Sequence, residues 1–330
     1  MVSLAPLSKR LTLPVAIVVA KLWCGGAVFG QVLQDAYPLV RRLVGPGSVE
    51  RQGGGWVTNP AESQLVEFRT FPSRAVGARV SYHVFLPKQY HSQPRRRFPV
   101  IYWLHGSGPG IRGIPALAQF FADAMDNEEM PPAIVVFPNG LHDGMWVNSK
   151  DGRRPVESMV VRELLPLVDG KYRTIASRTG RIVQGFSMGG YGAGRLGLKY
   201  AEKFRALAMY GAGPLQRNFL DKDPNLKPLE IRKRIFQTTY GGDSNYFLAN
   251  SPWQQAQARK TSLPPDFRVR LVVGQEDHQV LKGNVDFHDH LTSLGIGHSF
   301  QQIPGVGHNP QQLLAADRHE LMEFYRDVLQ

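Results

Sequence analysis

From Gln64 onward, apolar and polar positions along the chain change period in a regular way. Leu65–Thr70 and Arg79–Leu86 alternate and are rich in β-formers, which predicts two antiparallel strands at one edge of a sheet, the second stopped by Pro87. Phe98–Leu104 and Ala133–Phe137 are unbroken apolar runs, as strands buried on both faces should be. The first runs into His105-Gly-Ser-Gly108 and the second into Pro138-Asn-Gly140. Segments 181–185, 204–210, 268–273 and 298–303 are read as four more strands. Between them, helical spacing predicts helices over 114–125, 156–172, 188–200 and 284–294, with a closing helix over 310–329. Residues 215–263 are long, mixed and polar, and read as an insertion after the sixth strand that covers one end of the sheet. Strands alternating with helices imply an α/β fold, a mostly parallel central sheet with helices on both faces. Ligands in such sheets gather at the carboxyl ends of the strands.

Composition bounds this picture more than it changes it. The 330 residues carry 39 Lys and Arg against 27 Asp and Glu, a net charge of +12. The basic residues are scattered in short runs such as Arg95–Arg97 and Arg232–Arg234, without the interleaved aromatics of a nucleic-acid face, so a solvated basic surface is expected and no nucleic acid. The single cysteine, Cys24, excludes a disulfide within the chain and a cysteine-based metal site. At the N-terminus, Lys9 and Arg10 precede an apolar run, Leu11–Ala20, and Val28-Phe-Gly30 supplies a cleavage pattern before Gln31. The expectation is a signal peptide over 1–30, a linker or arm over 31–60, a catalytic domain over 61–330, and a secreted or periplasmic protein. Lys21 interrupts the apolar stretch, so no stable membrane span is expected. Cleavage would remove Lys9, Arg10 and Lys21 and no acid, taking the charge from +12 to +9.

The chemistry centres on Gly185-Phe-Ser187-Met-Gly189, placed between a predicted strand and a predicted helix. This is the nucleophile-elbow pattern of α/β-hydrolases, in which a strained turn lifts a serine hydroxyl toward substrate. Glycines two residues before and after it leave space that side chains would fill with collisions. A serine needs a base, and His308, in the Gly305-Val-Gly-His308 loop after the last strand, fits the chain order Ser…Asp…His. His83 lies inside a strand, His91 in a polar loop, and His288 and His290 two apart on a helix, so they compete poorly. Asp277, four residues past a strand, is the expected orienting acid, with Glu276 and Asp286 as rivals and Asp243 a loop acid of the insertion. The oxyanion hole should combine the Met188 N–H with that of Ser107, Gly108 being the rival. Asp143, Trp146 and Asn148 follow the fourth strand. Of these, Trp146 and Asn148 are the expected substrate-binding residues, and Trp253 is expected to pack within the insertion.

Several segments together resemble a known family: 156–172, Arg178, Gly185-Phe-Ser-Met-Gly-Gly-Tyr-Gly-Ala193, Tyr240-Gly-Gly-Asp243, Gly274-Gln-Glu-Asp277 and Pro304-Gly-Val-Gly-His308. They are similar to the esterase D / feruloyl esterase-like family of the α/β-hydrolase superfamily, over roughly residues 64–328. That family includes feruloyl and acetyl-xylan esterases, S-formylglutathione hydrolases, enterochelin esterases and mycolyltransferases. The resemblance implies Ser187 as nucleophile, Asp277 as acid, His308 as base, and no metal or organic cofactor. The expected activity is carboxylic-ester hydrolysis through an acyl-enzyme, on a small-molecule or polysaccharide-linked ester such as an acylated sugar or an aromatic-acid ester. Acyl transfer by the same residues, and a non-catalytic polyanion-binding protein of the same fold, are the alternatives.

Overall fold

The computed structural model describes residues 55–329, and the predicted signal peptide and most of the 31–60 arm lie outside the described residues. The part of that arm that is described is not free. Trp56 is buried in the core and its carbonyl accepts the Ser81 N–H at 2.9 Å.

Eight strands form one sheet: β1 (Val66–Ser73), β2 (Ala78–Phe85), β3 (Val100–Leu104), β4 (Ile134–Pro138), β5 (Arg181–Phe186), β6 (Ala206–Tyr210), β7 (Arg268–Gly274) and β8 (Ser299–Ile303). Their spatial order is β1-β2-β4-β3-β5-β6-β7-β8. The alternating pair β1 and β2 is antiparallel and sits at one edge, and β2 joins β4 antiparallel. All later pairings are parallel, with β3, β4 and β6 buried along their whole length and β8, at the far edge, partly exposed.

Within the buried strands, side chains still alternate between two cores. Val100, Tyr102 and Leu104 face one, and Ile101 and Trp103 face the other. The helices that cover them are α1 (Lys88–Ser92), α2 (Ile114–Asp126), α3 (residues 156–171, with a π-helical middle, Met159–Leu164), α4 (Met188–Lys199), α5 (Leu229–Tyr240), α6 (Ser244–Ala249), α7 (Pro252–Arg259), α8 (Leu281–Ser293), α9 (Pro310–Ala316) and α10 (Arg318–Val328). The Tyr102 face packs under α3 and α4, and the Trp103 face under α2 and α10.

Two expectations change. The closing helix is interrupted at Asp317, whose side chain turns fully inward to accept hydrogen bonds from Tyr210 Oη (2.9 Å) and from Arg270. The insertion, expected only as a long polar segment, carries helices of its own. It holds α5, α6 and α7, gathered around an aromatic cluster of Phe219, Phe236, Tyr240 and Phe247 with ring centroids 5.1–6.3 Å apart. Among the described residues no helix is long and apolar enough to cross a membrane.

The chain leaves β3 for β4 on one side and later adds β5 on the other. The loops after β3 and β5 therefore diverge from neighbouring strand ends, and that topological switch point is where a ligand crevice opens.

Candidate active site

Ser187 occupies that switch point, between β5 and α4. Its φ of 58° and ψ of −120° are strained for a residue with a side chain, a cost of about 1–3 kcal/mol. Neighbouring strands hold it there. Its N–H bonds the Tyr210 carbonyl at 2.9 Å and its own carbonyl accepts from Gly213 at 3.1 Å. The flanking glycines are sterically required. A Cβ on Gly185 would lie 2.3 Å from the Leu104 carbonyl oxygen, and one on Gly189 would lie 1.8 Å from it.

The structure brings Ser187, His308 and Asp277 into one hydrogen-bonded chain. His308 Nε2 lies 3.0 Å from Ser187 Oγ, and Nδ1 lies 2.6 Å from Asp277 Oδ2. A carboxylate can only accept, so Nδ1 carries the proton and Nε2 is left to accept from the serine hydroxyl. The β7 and β8 loops that carry acid and base are laced together, Gln275 N–H to Ile303 O at 2.9 Å and Glu276 N–H to Val306 O at 3.0 Å. Asp277 is buried, and the Phe186 ring packs 4.5 Å from the imidazole. The rival acids are elsewhere. The Glu276 side chain points to solvent near His278, Asp286 pairs with Lys282 at 2.6 Å, and Asp243 pairs with Lys150 while capping α6.

The two expected oxyanion donors flank the serine. Met188 is the first residue of α4, so its N–H has no carbonyl one turn earlier to bond. Ser107 lines the cleft beside Ser187, while the rival Gly108 N–H is occupied by the His142 carbonyl at 3.0 Å. The Ser107 loop is braced from below. His105 donates from Nδ1 to the Gly106 carbonyl (2.7 Å) and accepts the Gly140 N–H on Nε2 (3.0 Å). Burial lowers its pKa to about 4, so the ring stays neutral, as both bonds require.

Trp146 and Asn148 correct the sequence reading, for neither reaches the cleft. Trp146 is wholly buried, and its indole N–H donates to the His105 carbonyl at 3.2 Å. The ring fills space that Gly140 and Gly192 leave open, where a Cβ would come within 2.5 and 2.4 Å of it. Asn148 exchanges hydrogen bonds with Ser158, at 2.9 Å to Oγ and 3.0 Å from N–H. Asp143 is also buried, held by His142 (3.0 Å) and Arg234 (2.7 Å). Trp253 packs in the insertion as expected, donating to the Leu215 carbonyl at 2.8 Å.

A cleft of about 430 Å³ opens over Ser187 and His308. Its walls are largely apolar, with Trp103, Leu117, Phe137 and Phe186, and two cations, Arg112 and Lys227, also line it. None of these six was singled out in the sequence. Trp103 and Phe137 are the penultimate residues of buried strands and Phe186 is the variable position of the elbow, so the carboxyl ends of strands are the signal that finds them. Lys227 lies where no periodicity marks it.

This geometry meets known proteins at both levels. The Esterase family model, described as "Putative esterase", matches residues 73–309. Esterase Rv1288 of Mycobacterium tuberculosis is 30% identical over 272 residues, covering 76% of this chain and 57% of its own length, so the chain spans a little over half of that relative. An endo-1,4-beta-xylanase/feruloyl esterase of Xylanibacter ruminicola is 27% identical over 163 residues, 47% of this chain and 22% of that protein. Among solved structures, a ferulic acid esterase aligns with a TM-score of 0.65 at 22% identity, over 80% of this chain and 98% of its own. An S-formylglutathione hydrolase from Agrobacterium tumefaciens aligns with a TM-score of 0.64 at 15% identity, over 82% and 98%. At such identities these two likenesses are of fold, the α/β-hydrolase fold. The match over residues 73–309 covers well over half of the chain, which therefore belongs to this esterase family.

Proposed function

We propose that the chain hydrolyses carboxylic esters with Ser187 as nucleophile, His308 as general base and acid, and Asp277 as the group that orients the imidazole. The observation that carries this reading is the continuous chain from Asp277 Oδ2 through His308 to Ser187 Oγ, at 2.6 and 3.0 Å, on the ligand-binding edge of the sheet. As Oγ attacks the ester carbonyl, Nε2 takes its proton, and the buried Asp277 carboxylate stabilises the imidazolium without itself being protonated. The Met188 and Ser107 N–H groups receive the tetrahedral oxyanion, each such donor being worth about 3 kcal/mol in the transition state. Collapse expels the alcohol, which takes the proton from Nε2. Water then repeats the sequence on the acyl-enzyme and frees the acid.

The substrate is read as an ester with a bulky apolar portion, an aromatic-acid ester or an acylated sugar. The aromatic walls at Trp103, Phe137 and Phe186 support this, since such rings offer stacking area to an aryl group or a sugar face. Relatives named as feruloyl or ferulic acid esterases support it further. The test is turnover of nitrophenyl esters from acetate to long chains, and of a feruloyl ester, by the wild type and by Ser187→Ala. One acyl class should be favoured, and its kcat should fall by about 10⁴-fold or more in the variant. Equal rates from both folded proteins would remove Ser187 from the chemistry.

A further inference from the structure

We propose that the cleft selects esters that carry a free carboxylate, recognised by Lys227. This rests on the ester-hydrolase reading above and narrows its substrate class. Lys227 comes from the insertion and lines both the 430 Å³ cleft and a second chamber of about 40 Å³, and Ser107 and Ser187 line both as well. Lys227 thus stands where the two spaces meet beside Ser187.

The placement of Lys227 is built. Arg232, which lines the smaller chamber, donates from Nε to the Lys227 carbonyl (2.8 Å) and from Nη1 to the Phe219 carbonyl (2.9 Å). The Arg232 guanidinium is therefore used to hold the loop, and the ammonium of Lys227 is left for something else. Lys227 is half-buried, yet among the described residues it makes no ion pair and no side-chain hydrogen bond. The acid whose charge it feels is Asp143, and that carboxylate is already held by His142 and Arg234. Burial pushes the Lys227 ammonium below its usual pKa, with Asp143 acting the other way.

No aspartate or glutamate lines either space, and a second cation, the exposed Arg112, lines the larger one. A partly desolvated cation without a partner is unfavourable by itself, and an anion brought by the ligand relieves the cost. With the Arg232 guanidinium spent on the loop carbonyls, one half-buried ammonium and one exposed guanidinium match a singly charged carboxylate better than a phosphate dianion, which needs more donors.

The carboxylate can belong to the acyl group or to the alcohol, and matched ester pairs separate the two. On the acyl side the pair is 4-nitrophenyl hemiglutarate and its methyl ester. On the alcohol side it is the acetate of 4-hydroxyphenylacetic acid and that of its methyl ester. In the wild type, kcat/KM for the free carboxylate should exceed that for its methyl ester by about tenfold on at least one side, the scale of one charge-assisted hydrogen bond. Lys227→Met should bring that ratio close to one and Lys227→Arg should restore most of it, with near-ultraviolet circular dichroism confirming the fold of each variant. A wild-type ratio at or below one on both sides would overturn the proposal. So would a ratio that Lys227→Met leaves unmoved, or an equal fall for both members of each pair, which would mark Lys227 as a general aid to the oxyanion. Loss of neutral-ester turnover in Ser187→Ala stays with the ester-hydrolase reading whichever ratio is found.

Discussion

On one side of Ser187 stands the loop after β4, residues 139–155, and on the other stands the start of the insertion, residues 215–228. The first is braced at every level. Trp146 lies under the Ser107 loop, and its carbonyl accepts from Arg195 Nη1 at 3.1 Å. Arg195 is itself wholly buried and bonds Glu157 and Asn250, and Glu157 also receives Lys199 and Tyr200. Consecutive left-handed residues, Met145 at φ 52° and Trp146 at φ 55°, are tolerated because these contacts over-determine them. The second side is tied more simply. Phe219 anchors it in an aromatic cluster and Arg232 holds two of its carbonyls. Between those points it is kept by local turns, with Asp221 and Asp223 accepting N–H bonds two residues on. The difference separates two demands. Stabilising charge at a reacting carbonyl needs donors fixed to fractions of an ångström. Choosing among substrates needs a side chain that reaches the cleft and a segment that tolerates variation.

The largest test of this contrast is Trp146→Ala. Removing a wholly buried indole should cost about 3–5 kcal/mol of stability, read as a shift of the denaturation midpoint. Trp146→Phe keeps most of the packing and loses the N–H to the His105 carbonyl, so kcat should fall about tenfold with KM little changed. A change confined to KM would show that Trp146 does not position the oxyanion loop.

Acid should loosen the braced wall next. His105 has a folded pKa of about 4, lowered by burial, against about 6.5 in an unfolded chain. Between those values the unfolded chain binds the proton and the folded one does not, so stability falls as pH drops from about 6.5 to 4, by up to about 3 kcal/mol. Glu157 continues the trend. Burial alone would raise its pKa, but Arg195, Lys199 and Tyr200 outweigh that and hold it at about 2. Its contribution, fully present above about 4.5, is lost as pH falls further. Denaturant midpoints at pH 7, 5.5 and 4 check the slope, and His105→Gln should flatten its upper part.

The smallest effect on kcat is expected from the insertion. Phe219→Ala should cost about 3 kcal/mol of local order, and it should raise KM several-fold while kcat on a small acetate ester stays within about threefold. A kcat loss as large as that of Trp146→Phe would erase the distinction between the two sides.

What could be read in advance follows the same division. All eight strands were legible, the central ones because strands buried on both faces read as apolar runs, and so were the three positions, Ser187, Asp277 and His308, that the structure joins by hydrogen bonds. The 139–155 loop was not. Trp146 read as a pocket wall because its burial depends on Gly140 and on Gly192, which belongs to a different element. The helices of the insertion were hidden because their anchors, Phe219, Phe236, Tyr240 and Phe247, are spread along a mostly polar segment. The break at Asp317 depends on partners at 210 and 270 that no local pattern records.

The bonds around Gln184 set an order in time. Gln184 and Tyr325 bond each other twice, at 2.6 and 2.9 Å, across 141 positions, and Ser187 meets His308 across 121. Contacts so distant along the chain carry a large loop-closure cost and slow folding. At a synthesis rate of about 5–20 residues per second, Ser187 is made roughly 6–24 s before His308. The nascent chain thus carries the Ser187 turn before residue 308 exists, and the proposed triad can close only once the loop after β8 has been made and has packed against it.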